Sequence, residues 1–318
     1  MNKQEAISLM TKVLRLKHLA LSTEESYIRI LTQYIAFLTT ISSELSSEQK
    51  IERFLTGMAL KNYSASSQNV AFNALLFWYS RCLKQKLTDV NALRAKRPVL
   101  IRNAYTDDQI KLLLSKTSDT KLYPVSLIIH LLYGCGLRVS EPLNLRIRDI
   151  NLSNNTFIIR QSKGNKDRIV NIPLSLIDRI KIQVEAAKAI WLRDKNNNIP
   201  IKLPNRIAQK YPAAKFSWQW AWLFPMMKPC LDPRTKTMVK YRLLECNIQR
   251  GIKEANKKIG IDIKPHELRH SYITNCANFG YNLRAIQQAV GHSSLDTTMK
   301  YIHSEPLSIK SPVDNWTK

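Results

Sequence analysis

The sequence predicts a mainly α-helical protein with one small β-hairpin, divided into two domains. Three observations carry that prediction. Apolar residues recur at helical spacing behind Ser- or Thr-led start signals, both before residue 90 and after residue 105. A segment near 156–173 instead alternates on a strand period around a Gly-containing turn. Between the helical halves, Pro98 stands among clustered cations, where neither a helix nor a core can continue.

Taken in order, Ser22-Thr23-Glu24-Glu25 reads as a capping box, and Tyr27, Ile30, Leu31, Tyr34, Ile35 and Leu38 form the stripe behind it. A second start at Ser64-Ala65-Ser66-Ser67 precedes the stripe Ala71, Ala74, Leu75, Trp78. Residues 1–92 therefore read as a small helical bundle. Residues 93–104 read as a basic linker in which Arg94, Lys96 and Arg97 could cross a phosphate backbone; the alternative is a solvated connector. The second domain, 105–318, opens on the capping box Thr106-Asp107-Asp108-Gln109 and holds a buried apolar helix at Val125–Tyr133. Strands at 156–160 and 168–173 flank the turn Ser162–Asp167, and Asn196–Asn198 marks an exposed loop.

Composition narrows the function. Lys and Arg number 49 against 24 Asp and Glu, a formal charge of +25, which points to a polyanionic partner. Hydrophobic residues at 44% and charged residues at 23% exclude a disordered chain. No uncharged apolar run reaches the roughly 18–20 residues of a membrane span, and the N-terminus lacks the apolar centre of a signal peptide. The five cysteines, Cys82, Cys135, Cys230, Cys246 and Cys276, form no CxxC pair; they suit a reducing cytoplasm as small core residues rather than zinc ligands.

Four segments carry chemistry. In Gly134-Cys-Gly-Leu-Arg138-Val-Ser-Glu141, two glycines end one helix and a new one starts near Ser140, so Arg138 sits beside open backbone N–H groups, a good place for an anion. Lys163 lies in the hairpin turn, where it could reach over a ligand. Pro265-His266-Glu-Leu-Arg269-His270 has two readings. It is an HExxH zinc-protease helix, or an H-x-x-R pair in which His266 and Arg269 meet one anion at i, i+3. Arg269 between the zinc ligands would repel a dication, and a protease gains nothing from the charge. Gly291-His292 ends a helix, and Tyr301 follows nine residues later. Taken alone, Arg138 and Lys163 read more readily as surface residues and Tyr301 as a half-buried core tyrosine. Together they make a kit for metal-free attack on a phosphodiester. A phenol with a pKa near ~10 needs a base and a positive site. Two arginine forks suit the non-bridging oxygens, and a lysine can protonate the leaving oxygen.

The order Arg138, Lys163, His266-x-x-Arg269, Gly291-His292, Tyr301, across about 165 residues, resembles the tyrosine recombinase (phage integrase) family. The resemblance implies a C-shaped clamp of a helical, SAM-like core-binding domain and a catalytic domain, acting as a homotetramer on DNA without metal or nucleotide cofactor. It implies Tyr301 as nucleophile, Arg138 and Arg269 on the scissile phosphate, and His292 as a hydrogen-bond donor to it. His266 would assist proton removal, Lys163 would protonate the leaving oxygen, and Glu141 would orient Arg138 or its neighbours.

Residues about 200–240, with Phe216, Trp218, Trp220 and Trp222 alternating, are similar to the insertion of integron integrases, as is the tail Ser311-Pro-Val-Asp314. In that subfamily the insertion holds extrahelical bases of folded single-stranded attC sites. Trp218, Trp220, Pro233, Tyr241 and Arg242 are the corresponding candidates here, and aromatic faces beside cations suit stacked bases. An aromatic mini-core anchoring the insertion is the alternative for Trp218 and Trp222. Two departures stand out. Pro142 follows Glu141, tolerable in a helix's first turn and kinking if deeper, and Tyr241-Arg242 stands where the subfamily tends to have paired histidines. A Xer-type or phage-type recombinase on duplex sites is the nearest alternative reading. An HExxH zinc metalloprotease and a DNA-binding module with a dead site are the remote ones.

Overall fold

In the computed structural model, capping and apolar spacing set the first four helices; the residues described are 2–88, 104–117, 119, 123–162, 166–292 and 294. Helix α1 (Lys3–Leu16) starts from Asn2, which accepts from the Glu5 N–H while Glu5 caps Asn2 in return, both at 2.9 Å. Helices α2 (Leu21–Leu38), α3 (Ser47–Leu60) and α4 (Ala65–Phe77) follow, and α4 runs into a π-helical turn at Trp78–Cys82. Ser64 caps α4 as its sequence predicts. The capping box expected at Ser22 does not form. Helix α2 starts two residues earlier, with Ala20 at the N-cap, so Ser22 lies inside its first turn, and Glu24 turns inward to Arg15 at 2.8 Å. The predicted stripes close the core, with Ile30, Leu31, Tyr34, Ala71, Ala74 and Leu75 all buried.

The chain divides into two compact units, Met1–Leu100 and Ile101–Lys318. The second unit begins with α5 (Asp107–Ser115), capped by Thr106 and Gln109 as expected. Helix α6 (Val125–Gly134) is apolar on nearly every face and lies at the centre of the larger core. The hairpin is present as β2 (Thr156–Ser162) and β3 (Lys166–Asn171), antiparallel, with Phe157 opposite Val170. A two-residue strand β1 (Ile150–Asn151) adds a third member on the other side of β2, too short to be read from periodicity. Helix α7 (Ser140–Leu143) links α6 to this sheet. Pro142 is its third residue, inside the first turn, where a missing N–H costs no helical bond.

Helix α8 (Ile177–Asn196) leads into residues 200–240, which carry α9 (Asn205–Lys210) and the short hairpin β4 (Cys230–Leu231) and β5 (Met238–Val239). Helices α10 (Glu245–Ile259), α11 (Pro265–Asn278) and α12 (Leu283–Val290) complete the unit. Helix α11 packs on α6, and Ile273, Ile286 and Val290 join α11 to α12. Among the five cysteines only Cys135 is a buried core residue; Cys246 is exposed, and all five are free thiols. No helix among the described residues is long and apolar enough to cross a membrane. Arg94, Lys96, Arg97, Lys163 and Tyr301 lie outside the described residues.

Candidate active site

Four segments distant in sequence converge at the end of α6. Gly136 turns the chain there with φ +58°, and a Cβ on it would stand 2.4 Å from the Tyr272 ring, so only glycine fits. Two residues later Arg138 projects its guanidinium to Glu141, with Nη1 donating to Oε1 at 2.9 Å. The open N–H expected beside Arg138 is taken by the same side chain: it donates to Glu141 Oε2 at 2.9 Å. Glu141 thus orients Arg138 through both backbone and side chain.

Helix α11 supplies the next pair. Pro265 occupies its first turn, and Arg269 one turn on is 2% exposed. Its two forks donate to Gly136 O and Val290 O, each at 2.7 Å. Nη1 also stands 3.8 Å from Glu141 Oε2. His266, on the same helix, is exposed, yet it and Arg269 both bear electrostatically on His292. The H-x-x-R reading thus describes this helix. The HExxH reading does not: His270 is 4% exposed and Glu267 accepts from the Lys264 N–H at 2.8 Å. No three His, Cys, Asp or Glu among the described residues group as metal ligands.

His292 follows α12 across Gly291, whose φ of +67° is left-handed. Burial, Arg269, Arg138, Arg168 and His266, in that order, push the His292 imidazole down to about 4. It is therefore neutral near pH 7 and can donate one ring N–H. Burial alone would raise Glu141. The Arg168 fork, the Arg138 N–H and Arg269 outweigh it and hold the carboxyl below its usual range.

Arg168 is the member that sequence reasoning missed. It lies on β3 and grips Glu141 with both forks, at 2.9 and 2.7 Å. Its Nε donates to Ala289 O at 2.9 Å. Its signals in the sequence were its place at the end of Ser162–Arg168, a segment close to a family motif, and a charge at the start of an apolar-alternating stretch.

The insertion residues gather into a separate aromatic cluster. Trp222 is 6% exposed and packs with Ile201 and Ala221, with Trp191, Trp218 and Trp220 against them. Trp218 lies on Trp191 with centroids 5.4 Å apart. Arg146 covers Trp222 at 3.6 Å, and Arg148 covers Trp220 at 4.1 Å. Tyr241 meets Trp222 edge-on, and Arg242 stands over Tyr241 at 5.5 Å. Trp222 is thus the mini-core residue of the alternative reading. Trp218, Trp220, Tyr241 and Arg242 are half-buried around it, and Pro233 is exposed between β4 and β5.

Comparison with known proteins gives the family and the fold. The model of the phage integrase family matches residues 103–307, and that of the phage integrase N-terminal SAM-like domain matches residues 7–89. An integrase/recombinase of Escherichia coli is 32% identical over 310 residues, covering 95% of this chain and 90% of that protein. Tyrosine recombinase XerA of Pyrococcus furiosus is 30% identical over 263 residues, 82% of this chain and 78% of that one. Among solved structures, the XerH site-specific recombinase bound to palindromic difH substrate, a post-cleavage complex, shares the fold with TM-score 0.61 at 18% identity, covering 95% and 82% of the two chains. A lambda integrase dimer bound to a core site does so with TM-score 0.59 at 15% identity, covering 97% and 78%. The chain belongs to the phage integrase family and is a site-specific tyrosine recombinase.

Proposed function

We propose that this recombinase cleaves and rejoins DNA through Tyr301, and that it is of the integron-integrase type. The Tyr301 oxygen attacks the scissile phosphorus as the bond to the 5′ oxygen breaks, leaving a 3′-phosphotyrosine. Arg138 and Arg269 bind the non-bridging oxygens, and neutral His292 donates a hydrogen bond to the same phosphate. His266 assists removal of the phenol proton, and Lys163 protonates the departing oxygen. The phosphotyrosine conserves the phosphodiester, so rejoining needs no nucleotide. The observation that carries this reading is the cluster around Glu141, where three arginines share one carboxylate and the set stays net positive.

In this reading residues 1–92 bind the core of the site, the cations of 93–104 cross its backbone, and 105–318 perform the chemistry. The active form is a homotetramer on DNA, in the cytoplasm at the nucleoid. The insertion favours folded single-stranded attC sites. Trp220 and exposed Pro233 match the subfamily's base-contacting positions best and are the residues expected to meet an extrahelical base. Similarity to XerA over most of the chain supports a second reading, a Xer-type enzyme on duplex sites.

A trapping assay separates the two. Nicked substrates, one a folded attC-like hairpin with extrahelical bases and one the matching duplex, are incubated with the protein and run on denaturing gels. A covalent band on the hairpin alone supports the integron type. A band on the duplex alone transfers the protein to the Xer type.

A further inference from the structure

We propose that Arg168 is a positioning residue of this site, its forks fixing Glu141 and hence Arg138, and its Nε fixing the end of α12 and hence His292. The proposal rests on the recombinase reading above for its catalytic consequence, but not for its geometry. A single side chain, 9% exposed, ties together residues 27 and 121 positions away. Both Glu141 oxygens are then shared: Oε1 accepts from Arg138 Nη1 and Arg168 Nη1, and Oε2 from the Arg138 N–H and Arg168 Nη2.

The same guanidinium acts at the far end of the site. The carbonyls of Ala289 and Val290 close α12, and they are taken by Arg168 and Arg269 in turn. Cations are favoured at that helix end because its last carbonyls lack helical partners. The chain then turns at Gly291, where a Cβ would lie 2.9 Å from Arg168 Cδ. That residue has no side chain where Arg168 passes. His292 follows, its carbonyl accepting from Gln287 Nε2 at 3.2 Å and its N–H bonding Gln287 O at 3.1 Å. A lysine could keep the charge but not make a two-pronged grip and a third bond at once.

The charged groups bearing on His292 are Arg269 and His266 from α11, Arg138 from the turn before α7, and Arg168 from β3. Arg168 is thus one of the positive charges that keep the imidazole neutral. Removing it should raise the His292 pKa, whereas lysine should keep it close to the wild-type value.

The test compares wild type, Arg168→Lys and Arg168→Ala. Without DNA, amide hydrogen exchange at Gly291 and His292 and NMR titration of His292 are measured. Arg168→Ala should exchange faster at both amides, with α6 unchanged, and its His292 should titrate higher. Arg168→Lys should exchange faster but titrate near wild type. With DNA, the trapping assay is run on the hairpin and the duplex. Arg168→Lys should bind as wild type yet form covalent product about tenfold more slowly or worse, toward the ~100-fold that a 1 Å misplacement can cost. Unchanged exchange and titration in Arg168→Lys and Arg168→Ala overturn the assignment whatever the DNA assay gives; if Arg168→Ala fails to fold, Arg168→Lys decides by its exchange. Wild-type-like cleavage by Arg168→Lys also overturns it. Absence of product from wild type on both DNAs contradicts the recombinase mechanism instead, and exchange still decides the role of Arg168.

Discussion

Two buried arginines, Arg269 and Arg146, solve the same local problem and serve different ends. Each places its forks on two backbone carbonyls: Gly136 and Val290 for Arg269, Trp220 and Lys202 for Arg146. Around Arg269 stand Arg138, Arg168 and one carboxylate, so the surroundings are polar and net positive. Around Arg146 stand the faces of Trp220 and Trp222. Burial pushes Arg146 down to about 9, against the pull of Asp149. A buried guanidinium is therefore not by itself a catalytic one. Company decides: cations gathered around a shared acid leave a net positive cluster, the phosphate site of the proposed mechanism, whereas indole faces use the arginine as a brace.

The largest expected effect breaks the comparison at one end. Arg269→Ala should slow covalent cleavage roughly 10²–10³-fold, a loss of about 3–4 kcal/mol of transition-state stabilisation, read in single-turnover trapping. Arg146→Ala should instead leave cleavage by the folded fraction unchanged. It should lower unfolding stability by roughly 1–3 kcal/mol for each abandoned carbonyl, measured by denaturant titration. Equal losses of cleavage in both variants would erase the distinction.

Gly291→Ala probes the catalytic side more finely. The left-handed backbone costs about 1–2 kcal/mol for alanine, and the added methyl presses on Arg168. Its cleavage rate should fall by more than its stability loss explains.

The smallest effect is in pH. The folded imidazole of His292 lies near 4, below the unfolded value near ~6.5. Between these values the unfolded chain binds the proton and the folded one does not. His292 therefore contributes stability that is full above about 6.5 and lost as pH falls toward 4. Thermal melts from pH 7 to 4 should show a shallower decline in His292→Gln than in wild type.

Much of this was legible in the sequence, for a physical reason. Amphipathic stripes such as Ala71, Ala74, Leu75 and the caps at Ser64 and Thr106 are local, so a linear reading finds them. The sites of Arg138, Glu141, Arg269 and His292 were legible because each lies in a compact motif at a helix boundary. Arg168 was not, because its meaning depends on Glu141 and Ala289, which only the fold brings near. Arg146 was hidden in the same way, since its partners lie 56 and 74 residues away. At Ser22 the local signal misled: the helix already begins at Leu21, so Ser22 is a helical residue and not a cap.

In the proposed mechanism the positive cluster around Glu141 serves a covalent attack by Tyr301. Its most direct test is to trap the protein–DNA adduct, digest it, and locate the nucleotide-bearing peptide by mass spectrometry, with Tyr301→Phe in parallel. The nucleotide is expected on Tyr301, and the Phe variant is expected to bind DNA without forming any adduct. An adduct on another residue, or cleavage that survives Tyr301→Phe, would contradict it.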